Sequence, residues 1–345
     1  MPCHSAYQLK GAGLVATYAT KVASSLLALA ALAPLAGSTA VASGHLDPAA
    51  VNQATYEEGS KVRRPLAIKL QILLDRAHVS TGLIDGREGK NVRNALRIFE
   101  ERSNLPVDGK LDSRVWELLE HDTTDVIVRY ELKPQDLDGP FVETIPTDFA
   151  EMAHMERLAY TGPMELLSEK FHVAPDLLKA LNPSVPLKPG EQIFVPDVMN
   201  RAPKEKVARI EVDKKLSVVR GYAADGTLVV SYPASIGSRQ YPSPEGTMEV
   251  KGIAENPKYA YRPDKNFQQD DNTEPLELPP GPNGPVGSVW IDLSKETYGI
   301  HGTAEPESIG KAVSHGCVRL TNWDAEELAR LVRHGTKVSF VNGNQ

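Results

Sequence analysis

From about Val207 onward the apolar residues of this 345-residue chain stop recurring at helical spacing and begin to alternate, so no single uniform architecture accommodates all of it. Upstream, Leu66, Leu70, Leu73, Leu74 and Ala77 follow a helical period, and Val92, Ala95, Leu96 and Phe99 repeat it. Thr81-Gly82-Leu83-Ile84-Asp85-Gly86 reads as the turn between them, and Asp112 is placed to cap a third short helix over 115–119. Residues 43–64 carry no sustained apolar period and read as a linker ahead of this small all-α unit at 65–121. A second, α+β unit over 122–200 begins with the strand-like alternation of Val126, Val128 and Tyr130. It continues with short helices over 165–171 and 176–181 and closes on a strand over 190–196.

Beyond the switch, Ala208, Ile210 and Val212 alternate, and strand-like runs recur at 216–219, 228–230, 248–250, 289–293 and 338–341. One clear helix is predicted from about Trp323 to Arg333, capped by Asn322, with Asp324 and Glu326 in its first turn and Arg333, His334 and Gly335 at its end. Six strands and one helix predict a mostly β domain over 206–342. Residues 254–288, polar and rich in Pro and Gly, read as a lid or a disordered loop.

The amino terminus has the three-part pattern of a secretory signal: Lys10 and Lys21, an apolar run over 22–35, then Ala40-Val41-Ala42 as a cleavage site. That run is short for a bilayer span of about 20 residues. The expected product, cut after Ala42, is exported to the periplasm or cell envelope with no stable membrane insertion. Losing Lys10 and Lys21 takes the formal charge from −7 to −9, which gives no electrostatic footprint for nucleic acid. The cut also removes Cys3, leaving Cys317 as the one cysteine, a lone thiol in an oxidising compartment.

That thiol stands in Ser314-His315-Gly316-Cys317-Val318-Arg319-Leu320, sixteen residues after His301 of His301-Gly302-Thr303. A nucleophilic cysteine needs a base to hold it as thiolate and amides to take up oxyanion charge. In an extended strand His315 and Cys317 would share a face, while His301 arrives from another segment. Gly316 leaves the neighbouring amides unobstructed. The residues alone leave a cysteine hydrolase or acyltransferase of unknown substrate, a zinc site built on His301, His315 and Cys317, and an inert buried Cys–His pair all open.

Three resemblances narrow this. Ile84-Asp85-Gly86, Arg93, Ala95-Leu96, Phe99, Leu105-Pro106-Val107-Asp108-Gly109 and Trp116 stand in the order of the peptidoglycan-binding type 1 module. The helices of 122–200, with Leu181-Asn182-Pro183 and the closing Ile193-Phe194-Val195-Pro196, resemble a LysM module whose usual opening strand and Gly-Asp-Thr loop are absent. His301-Gly302-Thr303, Ser308-Ile309-Gly310 and the Cys317 motif resemble the YkuD family of L,D-transpeptidases, supported by Pro244-Glu245-Gly246-Thr247, 281–287 before Trp290-Ile291, and Tyr298-Gly299-Ile300.

The last resemblance implies a peptidoglycan L,D-transpeptidase. Cys317 would attack the diaminopimelate-type residue of a tetrapeptide stem and release D-alanine, with His301 as general acid/base held by a backbone carbonyl such as that of Gly302. His315 would support the pocket, and the Gly316 and Cys317 amides would form the oxyanion hole. Arg319, Ser314, Gly302 and Tyr298 would contact substrate, and Tyr259 and Tyr261 fall in the lid. The implied partners are glycan strands and tetrapeptide stems, with no metal or organic cofactor. The acceptor stays open: a stem amine gives a cross-link, water makes an L,D-carboxypeptidase, and a lipoprotein lysine tethers the outer membrane. A cysteine endopeptidase and a non-catalytic wall-binding protein are the competing classes.

Overall fold

A computed structural model of the chain describes residues 45–199, 201–237, 241–265, 267–314 and 316–343. The expected signal segment with Cys3, and His315 of the Cys317 motif, lie outside the described residues.

The stretch expected to be a linker carries helix α1 (Pro48–Asn52), capped by Asp47, whose carboxylate accepts from the Ala49 N–H at 2.9 Å. Val51 is fully buried, and the Lys69 ammonium donates to the carbonyls of Asn52 and Ala54, so this segment is part of the fold. Helices α2 (Arg64–Arg76), α3 (Lys90–Arg102) and α4 (Ser113–Leu119) bury the positions their apolar spacing predicts. Asp112 caps α4 through the Val115 N–H at 2.9 Å. The buried Glu100 carboxylate accepts from the Asp108 and Gly109 amides, both at 2.8 Å, which ties the second Asp-Gly turn to α3.

In the middle unit β1 (Ile127–Glu131) pairs antiparallel with β2 (Gln192–Pro196), and between them lie α5 (Phe149–Ala153), α6 (Pro163–Lys170) and α7 (Pro175–Leu181). The strand expected from the alternation of Val126, Val128 and Tyr130 is present as β1, and the chain leaves it on a long excursion before reaching α6. The two amino-terminal units share one core, in which Ile68, Leu74, Ile84 and Trp116 pack with Leu167, Phe171, Leu177 and Ile193. Backbone bonds cement them: Ile84 N–H donates to His172 O at 2.8 Å, and Ala174 N–H to Ile84 O at 2.9 Å.

The carboxy-terminal unit contains β3 (Arg209–Asp213), β4 (Val218–Tyr222), β5 (Leu228–Pro233), β6 (Gly246–Glu255), β7 (Tyr259–Tyr261), β8 (Leu276–Leu278), β9 (Val289–Leu293), β10 (Gly299–His301), β11 (Val318–Arg319), α8 (Asn322–Leu331) and β12 (Lys337–Val341). Eight of these strands form one sheet in the order β11-β10-β9-β6-β12-β3-β4-β5. The ten-residue β6 pairs with β12 by its first half and, past an irregularity at Val250/Gly252, with β9 by its second, so it joins the two halves of the sheet. Ala325, Leu328 and Leu331 of α8 pack into its core with Ile291, Ile300, Val318 and Val338.

Three sequence expectations change here. Thr321, not Asn322, caps α8, its hydroxyl accepting from the Asp324 N–H at 3.2 Å. The helix stops at Leu331, leaving Arg333, His334 and Gly335 beyond it. The two very short strands β10 and β11 were not foreseen. The lid region holds a hairpin, β7 with β8, that packs Tyr261 and Leu278 against Phe149, Met152 and Leu158 of the middle unit.

The amino-terminal units sit directly on the eight-stranded sheet. Its edge strand β5 is extended by residues 78–80: Ser80 N–H donates to Ser231 O at 2.8 Å, and Ser231 N–H to His78 O at 2.9 Å. From α3, Asn94 Nδ2 donates to Leu216 O at 2.7 Å and Asn91 Nδ2 to Ile309 O at 3.0 Å.

Candidate active site

The site forms where β10 and β11 run in parallel with Ile300 opposite Val318 and His301 opposite Arg319. Ile300 and Val318 are fully buried in the sheet core. Side chains alternate along a strand, so His301 and Arg319 face the other way. Both line a cleft of about 540 Å³ together with Cys317, Tyr298, Thr303 and Trp290. Cys317 lies in the bend just before β11, and Gly316 takes a φ of +118°, outside extended-strand geometry.

His301 is 4% exposed, and its ring lies against Trp290, centroids 5.5 Å apart and planes at 21°. Its Nδ1 is 2.7 Å from the Gly302 carbonyl oxygen. A carbonyl only accepts, so Nδ1 carries the proton and Nε2 keeps its lone pair. Burial, with the charge of Arg319, pushes the His301 pKa down to about 3. The imidazole is thus neutral across the physiological range. The Cys317 thiol donates to Thr297 O at 3.5 Å, and burial raises its pKa above the usual thiol range, against the lowering pull of the Gly299 amide and Arg319. The resting pair is thiol and neutral imidazole, where the sequence reading expected a standing thiolate.

Two further groups expected in the site are bonded within the turn itself. The Gly316 N–H, expected to be an oxyanion donor, is donated to Ser314 Oγ at 3.1 Å; Ser314 Oγ, expected to contact substrate, is donated to Cys317 O at 2.5 Å. Both bonds staple the turn that carries the thiol. Tyr261 is fully buried in the lid hairpin, its hydroxyl donating to Asn272 O at 2.9 Å, while Tyr259 lines the cleft. Tyr298 also lines it, with the Lys295 ammonium 4.5 Å from its ring centroid. Arg319 has no ion-pair partner among the described residues, and Gly302 supplies its carbonyl to His301.

Sequence reasoning missed two contributions. Ile145, Pro146, Thr147, Phe149 and Met152 of the middle unit form one wall of the cleft, and nothing in their pattern signals it. Asn322, read as a helix cap, is 2% exposed beneath the site; its Oδ1 accepts from the Ser288 and Thr303 amides, both at 3.1 Å. A polar residue at the start of an apolar-faced helix gives the same signal for a cap and for a clamp.

Residues 207–339 match the L,D-transpeptidase catalytic domain family, YkuD, and residues 63–119 match a putative peptidoglycan binding domain. The chain is 33% identical over 181 residues to the putative L,D-transpeptidase YkuD of Bacillus licheniformis, covering 52% of this chain and 93% of that one. The chain belongs to the YkuD family of L,D-transpeptidases. It is also 25% identical over 215 residues to the probable L,D-transpeptidase YbiS of Escherichia coli strain K12, covering 57% of this chain and 68% of the relative. Among solved structures, an L,D-transpeptidase from Mycobacterium smegmatis is similar at 20% identity and a TM-score of 0.33, over 39% of this chain and 59% of that one. This family member is a peptidoglycan L,D-transpeptidase, an acyl-transfer enzyme, with a helical peptidoglycan-binding module ahead of its mostly β catalytic domain. Acting on peptidoglycan places it at the cell envelope; among the described residues no helix is long and apolar enough to cross a membrane.

Proposed function

We propose that Cys317 is the nucleophile and His301 the general acid/base of this transpeptidase. The observation that carries the reading is the shared face: His301 and Arg319 in parallel register, the Cys317 thiol immediately before β11, and all three lining one cleft. His301 Nε2, with its lone pair free, takes the thiol proton as sulfur adds to the stem carbonyl of the diaminopimelate-type residue. The C–N bond to D-alanine then breaks, and the same proton goes to the departing amine, leaving a thioester on Cys317. An acceptor amine attacks that thioester, its proton passing through His301 back to the released thiolate. The Cys317 amide is the backbone donor assigned to the oxyanion in this reading. Arg319, without an ion-pair partner among the described residues, suits a stem carboxylate.

The acceptor in this reading is a stem amine, which makes the product a cross-link; water or a lipoprotein lysine would complete the same cycle otherwise. His315 takes the supporting role on the family resemblance. A chain cut after Ala42 and exported to the periplasm is the corresponding address. The paired β1 and β2 flanking α6 and α7 support a LysM-like middle unit that binds glycan together with the helical module, which would raise the effective concentration of stems at the cleft.

Incubation with a purified disaccharide tetrapeptide, read by mass spectrometry beside Cys317→Ala, tests the reading. Dimers that have lost one D-alanine, absent in the variant, are expected. Tripeptide alone would move the assignment to a carboxypeptidase, and products that persist in Cys317→Ala would overturn the nucleophile.

A further inference from the structure

One buried contact between the middle unit and the catalytic domain ends one peptide away from His301. Glu169, on α6, is 7% exposed, and Asn322, at the start of α8, is 2% exposed. Asn322 Nδ2 donates to both carboxylate oxygens of Glu169, at 3.1 and 3.0 Å, and to Pro282 O at 3.2 Å. On its other side Asn322 Oδ1 accepts from the Ser288 and Thr303 amides. The two ends of the amide are therefore fixed: reversed, it would set an NH₂ against two N–H donors and an oxygen against a carboxylate. Thr303 N–H and Gly302 C=O belong to the same peptide unit, and that carbonyl holds His301 Nδ1 at 2.7 Å.

There is no slack in this arrangement. A Cβ on Gly302 or on Gly287 would stand 2.1 Å from Asn322 Oδ1, so the two backbone segments close directly onto the amide. The loop carrying Gly287 is gripped from the same direction: Asn283 N–H donates to Leu158 O and Asn283 Nδ2 to Ala159 O, both at 3.0 Å. Tyr160 completes the anchor by donating from its hydroxyl to Glu169 Oε2 at 3.1 Å.

We infer that Glu169 is a positioning residue for the transpeptidase site: from the middle unit, through Asn322, it fixes the Gly302–Thr303 peptide whose carbonyl sets the tautomer and orientation of His301. This rests on the assignment of His301 as the base toward Cys317. The middle unit then does more than bind wall polymer, since the catalytic histidine is held correctly only while α6 is docked. The carboxylate accepts from the NH₂ end of Asn322 without competing for the amides at the Oδ1 end. An alanine leaves that buried NH₂ end short of acceptors, and the Asn322 amide can then rotate away from Thr303.

The test uses the chain from residue 43 with Glu169→Ala and Glu169→Gln, assayed about 15 °C or more below each thermal midpoint, a margin that keeps the folded fraction constant. Two rates are read in parallel: turnover of the disaccharide tetrapeptide and carbamidomethylation of Cys317 by iodoacetamide from pH 6 to 9. Glu169→Ala is expected to lower kcat about 10–100-fold with KM changed less than about two-fold, and to slow alkylation near neutral pH about ten-fold. Glu169→Gln keeps a side-chain oxygen for Asn322 and is expected to recover most of both rates. Unchanged rates in Glu169→Ala, or a Glu169→Gln variant no better than alanine in a protein that stays folded, overturn the positioning role. If wild-type protein forms no Cys317-dependent product while alkylation still falls in Glu169→Ala, the transpeptidase assignment fails and the positioning role stands.

Discussion

Gly299 lies flat beneath the indole of Trp290: a Cβ at that position would sit 2.5 Å from Cζ2, inside the ring's own volume. The same indole stacks on His301, and the Gly299 amide faces the Cys317 sulfur, so one missing side chain lets three site groups converge. Gly299→Ala is expected to displace the indole, costing about 1–3 kcal/mol of stability and at least about ten-fold in kcat. Adding Trp290→Leu should restore the thermal midpoint, because the clash is gone, but not the rate, because His301 loses its stacking wall. A Gly299→Ala enzyme with wild-type kcat would show that the ring's position does not matter.

The protonation states of the site predict an unusual pH response. His301 stays neutral because burial holds its pKa at about 3, so it does not titrate between pH 5 and 8. Cys317 is raised by burial, so its thiolate accumulates only above the ordinary thiol range. Alkylation of Cys317 by iodoacetamide should therefore climb with pH without a plateau through about pH 9, where an ordinary thiol of pKa about 8.5 is already levelling off. A plateau below pH 7, the mark of a standing thiolate–imidazolium pair, would contradict both shifts.

The β7–β8 hairpin has its own small core, and that core has a centre. Phe149 meets Tyr259, Tyr261 and Phe267 edge-to-face, with ring centroids 5.9, 5.2 and 6.2 Å away. Because Phe149 also lines the cleft, Phe149→Ala should loosen the hairpin locally, at a cost of about 3 kcal/mol, and raise KM by about ten-fold with a smaller change in kcat. Limited proteolysis is the companion measurement: cleavage within 262–275 should quicken in the variant while the catalytic sheet resists. Equal cleavage rates would mean that other contacts hold the lid.

How far the sequence revealed these features depended on whether periodicity or topology made them. The helices of the amino-terminal unit and the strands β3, β5, β9 and β12 repeat their apolar residues over enough positions to be read directly. Strands β10 and β11 are three and two residues long, too short to show any period, yet they set the register of His301 and Arg319. Cys317 and His301 were legible because their chemistry is rare and their motif is ordered. Glu169 was not: a single acidic residue on a short amphipathic helix looks like a solvated one. Its burial follows only from the docking of α6 against α8, a contact between residues 153 positions apart. The same reason hides the wall at Ile145 and Met152, which sequence places in another unit altogether.

Docking of the amino-terminal units also leaves a titration signature. Asp324 of α8 is 3% exposed, accepts from Ser80 Oγ at 3.1 Å, and lies near Asp75, Glu327 and His172, the last of which bonds Asp75 at 3.2 Å and stacks on Trp323. Burial, then the charge of Asp75, pushes the Asp324 pKa up to about 8, against the lowering pull of His172. An acid whose pKa is higher folded than unfolded keeps its proton in the native state at pH values where the unfolded chain has lost it. Its stabilising contribution is therefore greatest at low pH and declines as pH rises through the folded value. Glu169, raised to about 7, and His172, raised above its ordinary value, have the same sign. His301 and His78 are lowered and act oppositely, but only below their unfolded value of about 6.5, so in the window from pH 7 to 9 the slope comes from the raised groups, with Asp324 shifted furthest among these carboxyls. The thermal midpoint should be about 2–4 °C higher at pH 7 than at pH 9. Asp324→Asn, which keeps the shape and removes the charge, should flatten that slope and raise the midpoint at pH 9. A variant with the wild-type slope would place the titrating group elsewhere in the interface.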